Sequence, residues 1–232
     1  MSDALEAEKL AALAEFAAGA GHELNNPLAV IAGRAQLLLR GETDPERRRE
    51  LALINAQALR VTEMIADLRL FAACPELERQ PVDFAALVRE VVEALRPTAD
   101  EQETALLFTS FDSEVTAQRV MGDPVQLVVA VRALCQNALE ALASRGRIEV
   151  TLTVVDGEAQ LRVADDGPGI TPQQRPHIFE PFYSARQAGR GVGMGLSKCW
   201  RIVTEHGGRI DVECRVGCGA TFTICLPLAP AK

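Results

Sequence analysis

The sequence predicts an α+β protein with two structural parts, an N-terminal antiparallel helical hairpin and a following α/β sandwich. Two observations carry this prediction. In the first 75 residues, apolar side chains recur in alternating steps of three and four, the spacing of a helix-bundle seam. After Pro81, short β-branched runs alternate with helical stretches, as expected when helices cover one face of a mixed sheet. We place the two domains at residues 1–76 and 77–232.

The predicted hairpin consists of two long helices. The seam of the first helix contains Leu13, Ala17, Ala20, Leu24, Pro27 or Leu28, Ile31, Ala35 and Leu38. A Gly-Glu-Thr-Asp-Pro segment at 41–45 ends this helix and supplies an N-capping Thr or Asp for the next. The second seam contains Leu51, Ile54, Ala58, Val61, Ile65, Leu68 and Ala72. A single hairpin buries only part of two apolar stripes, so we expect a homodimer with a four-helix bundle.

The second part predicts helices alternating with strands. The helices span residues 85–95 and 124–143 and a segment after residue 195 that ends at 206–208. The strands span residues 105–109, 116–120, 147–155, 159–164, 209–213 and 220–226. Asp156-Gly157, between two of these strands, is a strong signal for a tight β-hairpin.

Composition narrows the classes of function. The chain has 24 Lys plus Arg against 32 Asp plus Glu and a pI near 5.0, which argues against a nucleic-acid-binding protein. No apolar run reaches the ~18 to 20 residues that span a bilayer, and no signal sequence begins the chain. We expect a cytoplasmic chain without a membrane segment, although the natural protein could be longer and membrane-tethered. Six cysteines are expected to be buried reduced thiols: Cys74, Cys135, Cys199, Cys214, Cys218 and Cys225.

His22 is the candidate nucleophile. At about 100° per residue it lies two positions from both Ala20 and Leu24, so it is expected to project away from the seam. A neutral imidazole can attack an electrophile while Glu23 accepts the proton of the other ring nitrogen. Pro27 removes a backbone hydrogen bond to the Glu23 carbonyl and can kink the helix there. The alternative interpretation is a solvated histidine on a polar helix face.

The segment 16–28, Phe-Ala-Ala-Gly-Ala-Gly-His-Glu-Leu-Asn-Asn-Pro-Leu, resembles the phosphoacceptor box of two-component sensor histidine kinases. The other boxes of this family follow in the expected order, so the resemblance covers about residues 8–228. It implies that His22 accepts a phosphoryl group from ATP. It also implies that Glu23 and Asn26 belong to a pattern that dephosphorylates the regulator, with Asn26 orienting the attacking water.

A second box, Gln-Asn-Ala-Leu-Glu-Ala at 136–141, lies on the long apolar helix. The resemblance implies that Asn137 supplies its side-chain oxygen to the Mg²⁺ that bridges the ATP phosphates, a ligand type that hard cations favour. Judged alone, such an Asn is a cap, a surface residue or a polar residue whose hydrogen bonds are satisfied. The family often has a polar residue four positions earlier, where related ATPases have a water-activating Glu, but this chain has Ala133. Ala133 offers no second metal contact and argues against rapid ATP hydrolysis.

Two further segments resemble the adenine and aromatic boxes. Asp-Asp-Gly-Pro-Gly-Ile at 165–170 follows a strand and would otherwise be a plain turn. The resemblance implies that Asp165 accepts a hydrogen bond from the adenine amine, and that Gly167 and Gly169 let the backbone approach the base. In Ile-Phe-Glu-Pro-Phe-Tyr at 178–183 it implies that Phe179 and Phe182 border the nucleotide, with ordinary core packing as the alternative.

The last box is Gly-rich, spans residues 189–197 and opens a helix. Backbone N–H groups at a helix N-terminus favour the binding of phosphate. The segment is not a Walker A loop, because no Gly-Lys-Ser or Gly-Lys-Thr follows the glycines. The resemblance implies nucleotide contacts for Gly191, Gly193, Gly195 and Leu196. Three cations are candidate phosphate partners, with ordinary solvated side chains as the alternative: Arg186, Arg190 and Lys198.

The resemblance therefore implies a sensor histidine kinase core that uses ATP and Mg²⁺. It would autophosphorylate His22 and pass the phosphoryl group to an aspartate in the receiver domain of a response regulator. One alternative is an ATPase of the gyrase, chaperone and mismatch-repair type, which leaves the His22 helix unexplained. The other is a degenerate kinase that binds nucleotide or a regulator without transferring phosphate, although no central box residue is lost.

Overall fold

The computed structural model describes residues 2–72, 76–110, 119–142, 144–184 and 193–229. The chain divides into two compact units, Met1–Pro75 and Glu76–Lys232. The first unit is helical, and the second contains a mixed sheet with helices. The predicted α+β class is therefore confirmed.

The first unit is a hairpin of α1 (Ser2–Gly41) and α2 (Pro45–Ala72). Asp44 is the N-cap of α2, because its Oδ1 accepts hydrogen bonds from the backbone N–H groups of Glu46 and Arg47 at 2.9 and 3.0 Å. The Arg48 guanidinium donates to the carbonyls of Leu39 and Glu42, which the end of α1 leaves without helical partners. The local sequence at 41–45 thus sets the turn. The helix α1 continues through Pro27 without a break.

The hairpin has two apolar faces, where the sequence predicted one seam on each helix. Small side chains dominate its buried face, which includes Gly21, Ala32, Ala35, Ala58 and Ile65. Larger seam residues remain between 37% and 60% exposed: Leu24, Ile31, Leu38, Ile54 and Val61. Small residues let two helices approach closely, so two helices contact along a narrow stripe and leave the bulkier side chains outside it.

The second unit contains seven strands and three α-helices among its described residues. In chain order they are β1 (Gln80–Val82), α3 (Phe84–Glu101), β2 (Thr104–Ser110), β3 (Val120–Gly122), α4 (Pro124–Leu142), β4 (Gly146–Val155), β5 (Glu158–Asp165), a 3₁₀ turn (Arg175–His177), α5 (Gly195–Glu205), β6 (Arg209–Cys214) and β7 (Ala220–Pro227). Five strands form one sheet in the order β2-β4-β5-β7-β6, in which β2 and β4 are parallel and the other neighbours are antiparallel. The strands β1 and β3 form a separate antiparallel pair.

One face of the main sheet forms the core. In β4, Ile148, Val150 and Leu152 are buried, and the residues between them are half-buried, as the period of two requires. The helices α3, α4 and α5 contact the sheet strands and pack on one another. Among the described helices, α4 has the length and the mean hydropathy, 1.3, of a membrane span. Half of its apolar stretch is buried inside the unit. This is the behaviour of a core helix.

Several predicted boundaries differ from the structure. The helix α3 extends to Glu101 because Leu95 and Ala99 continue its buried face past Pro97. Of the strand predicted at 116–120, residues 116–118 lie outside the described part of the chain, and the observed strand is Val120–Gly122. The strand β1 was not predicted, because three residues are too few for a periodic pattern.

The cysteines divide by environment. Cys135, Cys199 and Cys225 are buried, and burial raises the pKa of the Cys135 thiol to about 12. The prediction of burial is wrong for Cys218, which is exposed in the turn between β6 and β7, and Cys214 is half-buried. Cys74 lies outside the described residues.

Candidate active site

Asp165 is the most tightly positioned acidic residue of the predicted site. It ends β5, and its side chain is 8% exposed. Its Oδ1 accepts a hydrogen bond from the Gly167 N–H at 2.9 Å and a longer one from the Ala220 N–H at 3.4 Å. Ala220 begins β7, which pairs with β5 at Asp165. Two elements therefore orient this carboxylate.

The fold itself requires glycine at the two predicted glycine positions of this loop. A Cβ at Gly167 would lie 2.8 Å from Asp165 Oδ1, closer than real side chains approach. Gly169 has a φ of +72°, and a Cβ there would collide with the Arg215 carbonyl. The family resemblance implied that these glycines let the backbone approach the adenine base. The structure adds that the loop cannot form without them.

The turn between β6 and β7 supports the Asp165 loop, a contact that sequence reasoning did not predict. Gly219 has a φ of +88° and lies against the Asp165 carbonyl, leaving no space for a Cβ. The Gly217 N–H donates to the Pro168 carbonyl at 2.7 Å. The Gly-Cys-Gly triplet at 217–219 between two strands was the available signal.

Asn137 lies on the helix face that meets this loop. It is half-buried on α4, one turn before Ala141, so the two side chains share a face. The Ala141 Cβ lies 3.7 Å from the Cβ position of Gly167. Asn137 and Asp165 thus belong to adjoining elements. Ala133, one turn before Asn137, is buried and apolar, so it brings no second polar side chain.

The aromatic box and the Gly-rich box meet at their backbones. Gly193 has a φ of +70° and lies against the backbone of Phe182 and Tyr183, so a Cβ would collide with them. Phe182 is 52% exposed with a φ of +64°, which excludes core packing as its role, and Phe179 is half-buried. Such a φ is a strained conformation for a bulky residue and is typical of ligand sites.

The beginning of α5 has free space beside it within the described part of the chain. A Cβ added at Gly195 would meet none of the described residues within 4 Å, and Leu196 is half-buried beside it. The N-terminus of this 11-residue helix carries partial positive charge. Three predicted residues, Gly191, Arg186 and Arg190, lie outside the described part of the chain, and Lys198 is half-buried.

The remaining predicted residues belong to the helical unit. His22 lies in α1, and its side chain is outside the described part of the structure, so its predicted exposure stays a prediction. Glu23 and Asn26 are exposed. Gly21 points to the other side, where its Cβ position lies 3.5 Å from Ile65 on α2. The face that bears Glu23 and Asn26 is therefore open to solvent within this unit.

Comparison with known families accounts for both units. Residues 12–73 match the His Kinase A (phospho-acceptor) domain, and residues 122–230 match the histidine kinase-, DNA gyrase B-, and HSP90-like ATPase family. The chain is 33% identical over 229 residues to the signal transduction histidine-protein kinase AtoS of Escherichia coli (strain K12), covering 97% of this chain and 36% of AtoS. It is 34% identical over 237 residues to the sensor protein FixL of Bradyrhizobium diazoefficiens, covering 98% of this chain and 46% of FixL.

Solved structures agree with this assignment. Full-length ShkA in complex with AMPPNP has a TM-score of 0.80 and 29% identity over 94% of this chain and 46% of ShkA. The histidine kinase ThkA in complex with the response regulator protein TrrA has a TM-score of 0.69 and 26% identity over 95% of this chain and 63% of ThkA.

These matches assign a class: the chain belongs to the two-component sensor histidine kinases. More particularly, it combines the phosphoacceptor domain and the ATPase-type ATP-binding domain that together form a kinase core. The chain spans less than half of the length of these curated relatives, 36% of AtoS and 46% of FixL.

Proposed function

We propose that this chain binds ATP with Mg²⁺, phosphorylates its own His22, and passes the phosphoryl group to an aspartate of a response regulator receiver domain. One observation carries the proposal. A carboxylate held by two backbone N–H groups, Asp165, adjoins the helix that bears Asn137, in the same chain as a phosphoacceptor helix. The nucleotide complex of ShkA and the regulator complex of ThkA support the two ligand classes.

In the proposed nucleotide site, Asp165 accepts a hydrogen bond from the adenine amine. Its orientation is set in advance by Gly167 and Ala220, so little ordering remains to be done on binding. The N-terminus of α5 at Gly195 receives phosphate oxygens through backbone N–H groups. Gly193, Leu196, Phe179 and Phe182 border the nucleotide.

The donor set fits Mg²⁺ carried by the nucleotide. Asn137 offers an amide oxygen, whereas Ala133 offers none, and the described residues contain no group of three acidic, Cys or His side chains able to hold a metal. Mg²⁺ commonly takes one or two protein ligands and completes its shell with phosphates and water. When bound, the ion neutralises charge on the phosphates.

In the proposed transfer, a ring nitrogen of neutral His22 attacks the γ-phosphorus in line with the bond to the β–γ bridging oxygen. The nitrogen–phosphorus bond forms, the bond to that oxygen breaks, and ADP leaves with the electron pair. Glu23 accepts the proton of the other ring nitrogen. The receiver aspartate then attacks the phosphorus, the nitrogen–phosphorus bond breaks, and Glu23 returns its proton to the imidazole, which regenerates neutral His22.

The exposed apolar face of the hairpin supports a homodimer. A groove between α1 and α2 is lined by Leu28, Ile31, Leu53, Ile54, Gln57, Ala58 and Val61. Burying such a stripe against a second copy would complete a four-helix bundle.

We also propose that Asn26, exposed on the open face of α1, orients the water that dephosphorylates the regulator. We further propose that the core acts in the cytoplasm.

The test is incubation of the chain with γ-labelled ATP and Mg²⁺. We expect acid-labile, alkali-stable label on the intact chain, and none on His22→Gln or Asn137→Ala. The variant His177→Gln is the matched control, because His177 is an exposed histidine in the other unit, and it should keep the label. When the labelled chain is mixed with a receiver domain, the label should move to an aspartate of that domain as an acyl phosphate.

Two outcomes would contradict the proposal. Release of free phosphate at equal rates from the intact chain and His22→Gln, without labelled protein, would indicate an ATPase of the gyrase or chaperone type. Binding of Mg²⁺–ATP with neither label nor release would indicate a degenerate kinase.

A further inference from the structure

His206 is a buried histidine that the proposed mechanism does not use. It follows α5, and its side chain is 2% exposed. Its Nε2 lies 3.0 Å from the backbone nitrogen of Asp123, and its Nδ1 lies 2.8 Å from the carbonyl oxygen of Ile202. Both ring nitrogens are therefore engaged with backbone groups of two different elements.

These partners determine the protonation of the ring. A backbone N–H can only donate, so Nε2 must accept from Asp123, and a carbonyl can only accept, so Nδ1 must donate to Ile202. Only the neutral tautomer with the proton on Nδ1 satisfies both bonds. A protonated imidazole would direct an N–H at the Asp123 N–H and lose that bond.

The surroundings of the ring are built for close contact. A Cβ at Gly122 would lie 2.7 Å from His206 Cδ2, so only glycine lets the ring pack there. Asp123 caps α4, because its Oδ1 accepts from the N–H groups of Val125 and Gln126 at 2.9 and 3.2 Å. The ring thus joins the end of α5 to the beginning of α4.

The segment that enters this unit is attached at the same point. The Glu78 N–H donates to Asp123 Oδ2 at 3.4 Å, and the Arg79 guanidinium donates to the Glu205 carbonyl at 2.7 Å. The charged groups that face His206 are Arg79 before β1, Asp123 before α4 and Glu205 at the end of α5. Burial is the largest influence and lowers the pKa of His206, whereas the hydrogen bond to the Ile202 carbonyl raises it. Arg79 also lowers this pKa, and the two carboxylates raise it.

We propose that neutral His206 is a positioning residue for nucleotide binding, and that its protonation in mildly acidic solution loosens α5 from α4 and weakens the binding of Mg²⁺–ATP. The inference rests on the proposed function. The helix α5 begins at Gly195 by the phosphates and ends at His206, while α4 carries Asn137. Because a helix of 11 residues moves as a rigid rod, displacement at His206 changes the distance between Gly195 and Asn137.

The sign of the pH effect follows from the lowered pKa. A group whose pKa is lower in the folded state stabilises that state above its unfolded pKa, about 6.5 for His. This stabilisation is lost as the pH falls from about 6.5 toward the folded pKa. Acidification, and not alkalinisation, should therefore weaken the contact.

The chain has three histidines, His22, His177 and His206, so the test uses the full chain with His22→Gln and His177→Gln, which leaves His206 alone. Nitrogen-15 NMR of this histidine at pH 7.5 should detect the proton on Nδ1. Calorimetry with Mg²⁺–ATP should detect about a fivefold loss of affinity between pH 8 and pH 5.5. Adding His206→Gln, which keeps a hydrogen-bond acceptor but does not titrate, should remove most of that loss.

Three outcomes would overturn the inference. The first is a proton on Nε2 at pH 7.5, which needs no further variant and holds even if His206→Gln folds poorly. The second is that both variants bind Mg²⁺–ATP at pH 8 and that their affinities depend on pH in the same way, whether or not His206→Gln is present. This outcome would leave the proposed function intact. The third is no binding of Mg²⁺–ATP by any variant at pH 8, which would contradict the proposed function itself.

Discussion

The two units of this chain bury their apolar residues very differently. In the helical unit, alanines such as Ala32, Ala35 and Ala58 are buried while Leu38 is 60% exposed. In the α/β unit, large side chains such as Leu161 are fully buried. The α/β unit thus has a complete core, whereas the hairpin needs further apolar surface to cover its larger side chains.

This difference matches the chemistry that each unit is proposed to do. A nucleotide site needs some backbone held in a strained conformation, such as that of Phe182, and a complete core maintains it. A phosphoacceptor must instead meet both a nucleotide and a receiver domain, so it benefits from an exposed helix face such as that of Asn26. The contrast teaches that the binding pocket and the nucleophile impose opposite demands on burial.

The largest expected effect concerns the complete core of the α/β unit. Gly219→Ala introduces a Cβ against the Asp165 carbonyl at a positive φ, so we expect a loss of about 3 kcal/mol in the free energy of unfolding. Urea denaturation of the full chain, followed by fluorescence of the single tryptophan, Trp200, reports on this unit. Gly157→Ala is the matched control and should cost about 1 kcal/mol, because Gly157 also has a positive φ but no described residue lies within 4 Å of its Cβ position. Equal losses would mean that the close approach to Asp165 contributes nothing.

Asp165→Asn tests whether this rigid loop serves nucleotide binding. The amide keeps a hydrogen-bond acceptor but loses the charge, so Mg²⁺–ATP should bind about 30-fold more weakly in calorimetry, which corresponds to ~2 kcal/mol. The control is Asp166→Asn, whose carboxylate accepts from the Arg147 N–H at 2.8 Å and should leave the affinity unchanged. Similar affinities for the two variants would contradict the role assigned to Asp165.

Ile54→Glu tests whether the exposed apolar groove of the hairpin is a dimer interface. A charge in the apolar groove should weaken self-association at least about 30-fold in sedimentation equilibrium, or ~2 kcal/mol, without changing the unfolding reported by Trp200. Leu59→Glu is the matched control, since Leu59 is as exposed as Ile54, 46% each, but does not line the groove. If both variants remain dimeric, the groove is not the dimer interface.

The smallest effect compares one helix cap in each unit. Asp44 caps α2 and Asp83 caps α3, whose Ala86 N–H it meets at 2.9 Å. Substitution by Ala should cost about 1 kcal/mol in each case. Asp83→Ala should lower the unfolding free energy detected by Trp200, whereas Asp44→Ala should instead speed amide hydrogen exchange in the first turn of α2. A change detected by Trp200 in Asp44→Ala would mean that the two units unfold as one.

Much of the architecture could be predicted because its signals are local. Asp156-Gly157 predicted a hairpin turn, and both residues have a positive φ, 51° and 78°. The apolar residues of α4 predicted a helix over 124–143, and the described helix spans Pro124–Leu142, with residue 143 outside the described part of the chain. Asp165, Gly167 and Gly169 were found as candidates from their neighbours in sequence alone.

Other features escaped because their partners lie far away along the chain. Gly219 contacts Asp165 and His206 contacts Asp123, and both partners lie more than 50 residues away along the chain. No local pattern distinguishes a buried histidine with two backbone partners from an exposed one. The division of the hairpin seam also depends on which side of α2 faces α1, as the burial of Ala58 beside exposed Ile54 illustrates.

The sequence by itself determined the order of most helices and strands, which residues carry the kinase motifs, and that a hairpin precedes an α/β domain. These properties follow from propensity and spacing among near neighbours. Tertiary structure alone decided that β7 lies between β5 and β6, which brings the turn at 215–219 under Asp165, and that His206 holds one tautomer. Strand order and buried hydrogen bonds depend on contacts between distant residues, and those contacts exist only once the chain has packed.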